Sequence, residues 1–346
     1  DQILQTSAAA SMGGRSMLMN IGELTNKGIE LSVYGTPIQN KDWNWELRGN
    51  LAWNKNTVKK LADGLDVLSH QTFDGGAASL ESHVGESMGD WYAYTWKTDD
   101  KGNYIIGADG LRIADKTERH KVGNAMPKMT GGFGTSLRYK NWALDMSFDF
   151  RIGGDVFNQP WQYMMDAGNI KDAVGARDAA SGGLFYYSTA DDVSQKGSIV
   201  RVDPSTISNY KRGETKIDGH LVWDNGVIQK GVKEDGTPND IIVTQFEIND
   251  SQYGWGTGAN QSYADAIQKN SYVKCREISL AYTLPTSLTK KFACTNLTIS
   301  AFARNPFYIY RSLKLFDSET SDGTSWIYQA QVGGSTARAR TFGVSL

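Results

Sequence analysis

The sequence predicts an all-β fold: a transmembrane antiparallel β-barrel with long extracellular loops. Three observations carry this prediction. Apolar and polar residues alternate with a period of two in seven segments. The links between those segments are alternately short and long. Tryptophan and tyrosine cluster at the segment ends.

The alternation is clearest in WNWELRGNLAW, residues 43–53. Trp43, Trp45, Leu47, Leu51 and Trp53 share one face there, and Glu46, Arg48 and Asn50 the other. Such a period is the mark of a strand with two unlike faces. In 29–36, Ile29, Leu31 and Val33 alternate with Glu30, Ser32 and Tyr34. In 130–140, Phe133, Leu137 and Tyr139 oppose Gly134, Ser136 and Arg138. In 142–152, Trp142, Leu144, Met146, Phe148, Phe150 and Ile152 oppose Asp145, Ser147, Asp149 and Arg151. In 271–285, Ile278, Leu280, Tyr282 and Leu284 oppose Glu277, Ser279 and Thr283. In 295–304, Leu297, Ile299 and Ala301 oppose Asn296, Thr298 and Ser300, and the last residues set Phe342, Val344 and Leu346 against Thr341, Gly343 and Ser345.

The short links are PIQNKD, the Lys140-Asn141 turn and TSLTKKFACT; the long ones run over roughly 57–129, 153–270 and 306–335. Long loops of this kind are uncommon inside compact soluble domains, whereas short turns at one rim and long loops at the other characterise outer-membrane barrels. Strands inside 57–129, such as DWYAYTW at 90–96, must then be even in number for the next wall strand to run back.

The aromatics give the height of the wall. From Trp43 to Trp53 the chain climbs roughly 25 Å at a tilt of about 40°, which matches a barrel's apolar band. Trp43, Trp45, Trp53, Tyr139, Trp142 and Tyr282 therefore read as a lipid-facing girdle. Glu46, Arg48, Arg138, Asp145, Asp149, Arg151 and Glu277 read as lumen-facing, because a wide wet or plugged lumen accommodates charges that a packed core does not. A soluble β-sandwich is the competing fold, but its tryptophans belong at the middle of core strands rather than at their ends.

Composition agrees. The 346 residues include 37 Gly, 7 Pro, 10 Trp, 16 Tyr and 12 Phe, a balance that favours strands and long loops over helices. A net charge of −2 leaves no basic footprint for nucleic acid. No apolar run approaches the ~18 residues of a spanning helix, and the first ten residues lack a signal-peptide pattern. Cys275 and Cys294 lie too far apart in the expected hairpin register for a disulfide.

Several stretches together resemble one family. NIGELTNKGIELSVYGTPI (20–38), WNWELRGNLAWNKNTVKKL (43–61) and VGNAMPKMTGGFGTSLRYKNWALDMSFDFRIGGDVFN (122–158) are similar to the SusC/RagA family of TonB-dependent outer-membrane transporters. SYVKCREISLAYTLP (271–285) and LTISAFARNPFYIY (297–310) follow that family's closing strands in the same order. The resemblance implies that residues 1–346 are the C-terminal third of a 22-stranded barrel, with the TonB-contacting plug domain absent from this chain and DQILQ (1–5) the tail of a strand. A complete eight-stranded barrel is the competing reading. The family's usual terminal aromatic is missing, since the chain stops at Leu346. The resemblance further implies the bacterial outer membrane, contact with lipid and lipopolysaccharide, a SusD-like surface lipoprotein as lid, and TonB as energy source through the plug.

No catalytic pattern appears, and no cofactor is expected. His70, His83, His120 and His220 are dispersed without metal-ligand spacing, and 99–115 lacks the order of a calcium loop. A short helix is expected within 153–169, with Phe157, Trp161 and Met164/Met165 on one side. The long links are rich in aromatics, and Trp161, Tyr163, Tyr186, Trp223, Trp255 and Trp326 are candidate platforms for sugar rings. The expected function is import of oligosaccharides, an enzyme being excluded. The alternatives are an oligopeptide importer of RagA type, a passive porin, or a soluble β-rich binding module.

Overall fold

The computed structural model describes residues 2–7, 16–62, 65–73, 76–190, 195–254, 261–292, 294–313, 315–320, 325–333 and 338–346, with backbone alone before residue 22. Three strands open the chain: β1 (Gln2–Ser7), β2 (Ser16–Gln39) and β3 (Trp43–Leu61). A first excursion carries β4 (Val67–Phe73), β5 (Ala78–His83), β6 (Asp90–Trp96), β7 (Ile105–Ile106) and β8 (Ala114–Asn124). The chain then forms the hairpin of β9 (Pro127–Tyr139) and β10 (Trp142–Gly153).

A second excursion begins with β11 (Val156–Phe157) and α1 (Gln159–Asp166). It continues through β12 (Leu184–Ser188), β13 (Ile199–Arg201), β14 (Lys216–Ile217), β15 (His220–Leu221) and β16 (Trp223–Ile228). It closes with β17 (Val232–Lys233), β18 (Ile242–Thr244), α2 (Gln245–Tyr253) and β19 (Ile267–Gln268). Last come β20 (Tyr272–Thr283), the short turn α3 (Thr286–Thr289), β21 (Thr298–Arg304), β22 (Tyr308–Arg311), α4 (Trp326–Gln329) and β23 (Thr341–Ser345).

The wall is one antiparallel sheet in the order β1-β2-β3-β9-β10-β20-β21-β23, a meander in which each strand pairs with the next wall strand along the chain. All seven alternating segments lie in it. DWYAYTW does not: it is β6, and β3 pairs directly with β9 from Trp43↔Tyr139 to Trp53↔Met129. The wall also continues beyond Arg304. Asn305 takes a left-handed turn at φ 51°, and β22 then resumes pairing with β20, so wall strand extends into the stretch expected as loop from 306. Lys140, at φ 51°, makes the tight turn between β9 and β10. Cys275 is buried in β20 and Cys294 is exposed beside α3.

The long links are folded layers rather than open loops. The first excursion forms a four-stranded antiparallel sheet, β4-β5-β6-β8. Its apolar face packs Leu80, Trp91 and Ala93, each 0% exposed, against Phe157, Tyr263, Trp161 and Trp326 from the later excursions. Fully burying a side chain of this size contributes roughly 1.5–3 kcal/mol. The Trp91 indole N–H is satisfied by donating to the Asp155 carbonyl at 3.0 Å. The second excursion adds the sheet β13-β12-β16-β18. It also carries α2, whose start is closed by a reciprocal Thr244–Glu247 capping box. The expected helix in 153–169 is α1. Trp161 and Met165 turn into the packed side, Phe157 precedes the helix in β11, and Met164 is exposed rather than packed.

Candidate functional site

Register divides the wall into two chemical surfaces. On one, Trp43 pairs with Tyr139, Tyr139 with Trp142, Trp142 with Tyr282, and Tyr282 with Ile299. Their rings touch: Trp43 and Tyr139 lie 4.2 Å apart between centroids, Trp142 and Tyr282 4.6 Å. The next row is Ile38, Trp45, Leu137, Leu144, Leu280, Ala301 and Val344. Trp45 satisfies its indole N–H on the Thr135 hydroxyl, at 2.8 Å, within the same face. At the far end, Ile29, Trp53, Met129 and Ile152 form another row. Ile29 is 63% exposed and Val344 72%. A contiguous apolar surface of this extent needs a covering medium.

The opposite face carries Glu46, Arg48, Arg138, Asp145, Asp149, Arg151 and Glu277, all seven on one side by the same register. Asn44 donates to Glu46 at 2.8 Å, and Arg304 donates to Glu277 at 3.0 Å. Arg151 donates to the carbonyls of Gly153, Ala125 and Gly154 at the head of β10, which ties the wall to the link above it.

The densest charge cluster on this face centres on residues that the alternation did not single out. Ser147 pairs with Glu277 but Phe148 with Cys275, so Arg276 is the extra residue of a bulge in β20. Its guanidinium bridges Asp149 on β10 to Glu319 from the link after β22. Lys274 joins the same carboxylate, and Arg338 approaches it at 3.9 Å. Burial by itself would push the Glu319 carboxyl up. Hydrogen bonds from Arg276 and Lys274 outweigh it and hold the group at about 2. The signal was present in the sequence: Lys274-Cys-Arg-Glu277 breaks the alternation with two adjacent charges, which is how an inserted residue reads.

A second concave region lies within the excursions. A cavity of about 590 Å³ is lined by Lys196, Arg201, Lys233, Glu234, Asp235, Asp240 and short apolar stretches around Ile106, Ile199 and Ile242. Among the described residues its wall has charge of both signs and no aromatic ring. Lys233 pairs with Asp240 at 3.1 Å. Among the described residues no cluster of His, Cys, Asp and Glu could hold a metal ion. The histidines have structural neighbours: His70 bonds Ser82, His83 bonds Glu81, His120 faces Asp115 and His220 stacks on Tyr187.

No protein-family model matches the chain. It is 31% identical over 167 residues to TonB-dependent receptor P3 of Formosa agariphila, covering 42% of this chain and 17% of that protein. It is 29% identical over 145 residues to TonB-dependent receptor SusC of Bacteroides thetaiotaomicron, covering 39% and 14%. In fold it is similar to the RagAB peptide importer in its closed-closed state, with a TM-score of 0.51, 19% identity, and 90% of this chain aligned to 28% of that one. In sequence and in fold, the chain resembles the SusC/RagA transporters. It spans less than a third of the length of each of these proteins.

In this SusC/RagA-like chain the candidate platforms Trp161 and Trp326 pack against one buried cluster. Trp161 packs edge-on against Tyr253, with ring centroids 5.4 Å apart, in the core beneath α1 and α2. Trp326 covers Gly89 and meets His70 edge-on at 4.9 Å. Tyr186 pairs with Trp223 across β12 and β16, but is only 5% exposed, and burial pushes its phenol up to about 12. Its ring is an internal brace rather than a presented surface. Tyr163 and Trp223 are exposed, at 39% and 38%. Trp255 lies outside the described residues. Aromatic enrichment alone did not separate packed rings from presented ones, because that division depends on contacts between distant excursions.

Proposed function

We propose that this chain forms wall and outer loops of a TonB-dependent outer-membrane importer that takes up oligosaccharides with a SusD-like surface lipoprotein. The observation that carries it is the meander wall with one continuous apolar face, one charged face, and folded layers on the long links alone. In this reading the apolar face meets lipid and lipopolysaccharide, with Trp43, Trp45, Trp53, Tyr139, Trp142 and Tyr282 as its girdle. Glu46, Arg48, Arg138, Asp145, Asp149, Arg151 and Glu277 face the lumen. The folded layers stand outside the cell, where they receive cargo and the lipoprotein. TonB acts through a plug region beyond these residues.

For the cargo, the exposed rings of Trp223 and Tyr163 support a saccharide, since aromatic faces stack on sugar rings. A second reading, oligopeptide, is favoured by the cavity of about 590 Å³, whose lining among the described residues carries both charge signs and no ring. Such a wall suits zwitterionic chains better than neutral ones. Uptake of labelled oligosaccharides and oligopeptides by cells expressing the whole protein, with and without TonB and the lipoprotein, separates these readings. Oligosaccharide uptake that needs both supports the first. Uptake of peptide alone transfers the cargo to the second, and accumulation independent of TonB sinks energy coupling in favour of a passive pore.

A further inference from the structure

On the side of the long links, the apolar face of the wall ends in two lysines. Its last apolar row is Ile29, Trp53, Met129 and Ile152. The next residues outward on that face are Lys27 on β2 and Lys55 on β3, which the register sets directly opposite each other. Both are exposed. Like charges opposed across two strands repel each other. Neither has an ion-pair partner among the described residues.

A cleft of about 650 Å³ opens beside this pair, with Trp53, Lys55, Lys128, Ile152 and Lys269 in its wall. Two carboxylates also reach it, and both are engaged. Asp90 takes a 2.6 Å bond from Lys121 and a 2.5 Å bond from Asn124. Asp155 accepts the Asn124 backbone N–H at 2.9 Å. With Lys121, the wall of the cleft carries four lysines against these two carboxylates, so it is net cationic. Its lower edge is apolar and its upper edge cationic, at the level where a membrane changes from acyl chain to headgroup. An acidic soluble peptide would use the lysines and leave the apolar row idle. An anionic amphiphile uses both.

We propose that Lys27, Lys55 and the adjoining cleft bind the phosphate headgroup of a phosphorylated membrane lipid, whose acyl chains lie against Trp53 and Ile152. The site rests on the reading above that this face meets lipid and that the long links are extracellular, which makes it an outer-leaflet site. It relieves the Lys27–Lys55 repulsion and fixes the depth of the wall in the membrane.

The test is native mass spectrometry of the whole protein extracted in mild detergent, comparing wild type with the double variant Lys27→Gln, Lys55→Gln. Retained phosphorylated lipid is expected to fall roughly tenfold in the variant. A lipid with the same chains and no phosphate should bind both proteins equally weakly. The Lys27→Arg, Lys55→Arg protein keeps the charge and should keep the lipid, which separates loss of a site from loss of fold. Equal retention of phosphorylated lipid by wild type and the glutamine variant overturns the proposal. Displacement of the lipid by excess inorganic phosphate alone reduces it to a bare anion site and overturns the lipid assignment. Orientation is read separately, with a membrane-impermeant thiol reagent on intact cells. Ser205→Cys in the second excursion should label and Cys294 at the opposite rim should not. The reverse pattern sinks the leaflet assignment while leaving the detergent measurement to judge the site itself.

Discussion

Arg276 grips Glu319 with two guanidinium nitrogens, Nη1 at 2.8 Å and Nη2 at 2.5 Å, across a gap of 43 residues in the chain. The pair fastens the link after β22 to the charged face of the wall. Bidentate geometry makes this stronger than an ordinary surface ion pair, and Glu319 is only 11% exposed. Arg276→Ala should loosen the segment around Phe316–Thr320 by about 2 kcal/mol, less than a fully buried pair because Lys274 remains. Hydrogen exchange of that segment in the whole protein should accelerate roughly thirtyfold. Unchanged protection would show that packing alone holds it. With the Glu319 pKa held below its ordinary value, at about 2, its contribution is complete above the usual carboxylate range. It is lost as pH falls through the interval down to about 2.

His70 gives the first loop sheet an acid sensitivity of the same sign but a different cause, burial rather than charged partners. Its imidazole is held neutral by burial, which lowers its pKa from 6.5 to about 4. Between those values the unfolded state binds the proton and the folded state does not, so stability falls as pH drops through this window. A loss of roughly 2–3 kcal/mol in the stability of the β4-β5-β6-β8 layer is expected by the acid end. Proteolysis of this layer measured against pH should show the slope in wild type and lose it in His70→Gln. A slope that persists in the variant assigns it to another group.

Gly131 marks a point where the wall admits no side chain. A Cβ there would sit 2.3 Å from the Asn50 carbonyl oxygen and 2.7 Å from the Phe150 ring, which lies across the glycine from β10. Gly131→Ala must move Phe150 or part the strands, at a cost of about 1–3 kcal/mol. The barrel's resistance to unfolding in hot detergent, followed by gel mobility, should end at a lower temperature. Gly35→Ala is the control, since nothing lies within 4 Å of the position its Cβ would take.

Two tryptophans separate packing from presentation. Trp326→Ala empties space over Gly89 and beside His70, and should destabilise the loop layer by about 3 kcal/mol. Trp223→Ala removes an exposed ring and should leave stability within about 0.5 kcal/mol of wild type. If a saccharide stacks there, its binding weakens in Trp223→Ala without any change in melting. Loss of binding in Trp326→Ala alone, accompanied by loop unfolding, would remove the exposed ring from the site.

The wall was legible because a membrane-spanning strand exposes one face to a uniform medium, so its alternation is written residue by residue. Each of the seven alternating segments was placed in the wall by that rule, whereas β22, in a stretch expected as loop, was not. Position 276 shows the limit. A single inserted residue shifts the pattern by one, and its effect became plain only once Ser147 and Phe148 were seen to pair on either side of it. The excursions were far less legible. Trp91 and Phe157 meet from opposite ends of a gap of 66 residues, with centroids 6.1 Å apart. No local period announces such a contact. Tyr186 and Tyr163 illustrate the same point, since both stood out only as aromatics in a long link, and the one is buried and the other exposed.

Beyond Trp53, β3 leaves β9 but keeps pairing with β2 as far as Leu61. The Gly85–Met88 turn is fastened to this bare hairpin. Val58 exchanges two backbone hydrogen bonds with Glu86 and Gly85, both at 2.8 Å, and the Asn56 side chain accepts from Ser87 and Met88 at 2.8 Å and 2.6 Å. The hairpin therefore works as a mast. A load placed on the first loop sheet travels down hydrogen-bonded strands into the wall instead of being absorbed by slack chain. A partner that closes on that sheet pushes against the barrel itself.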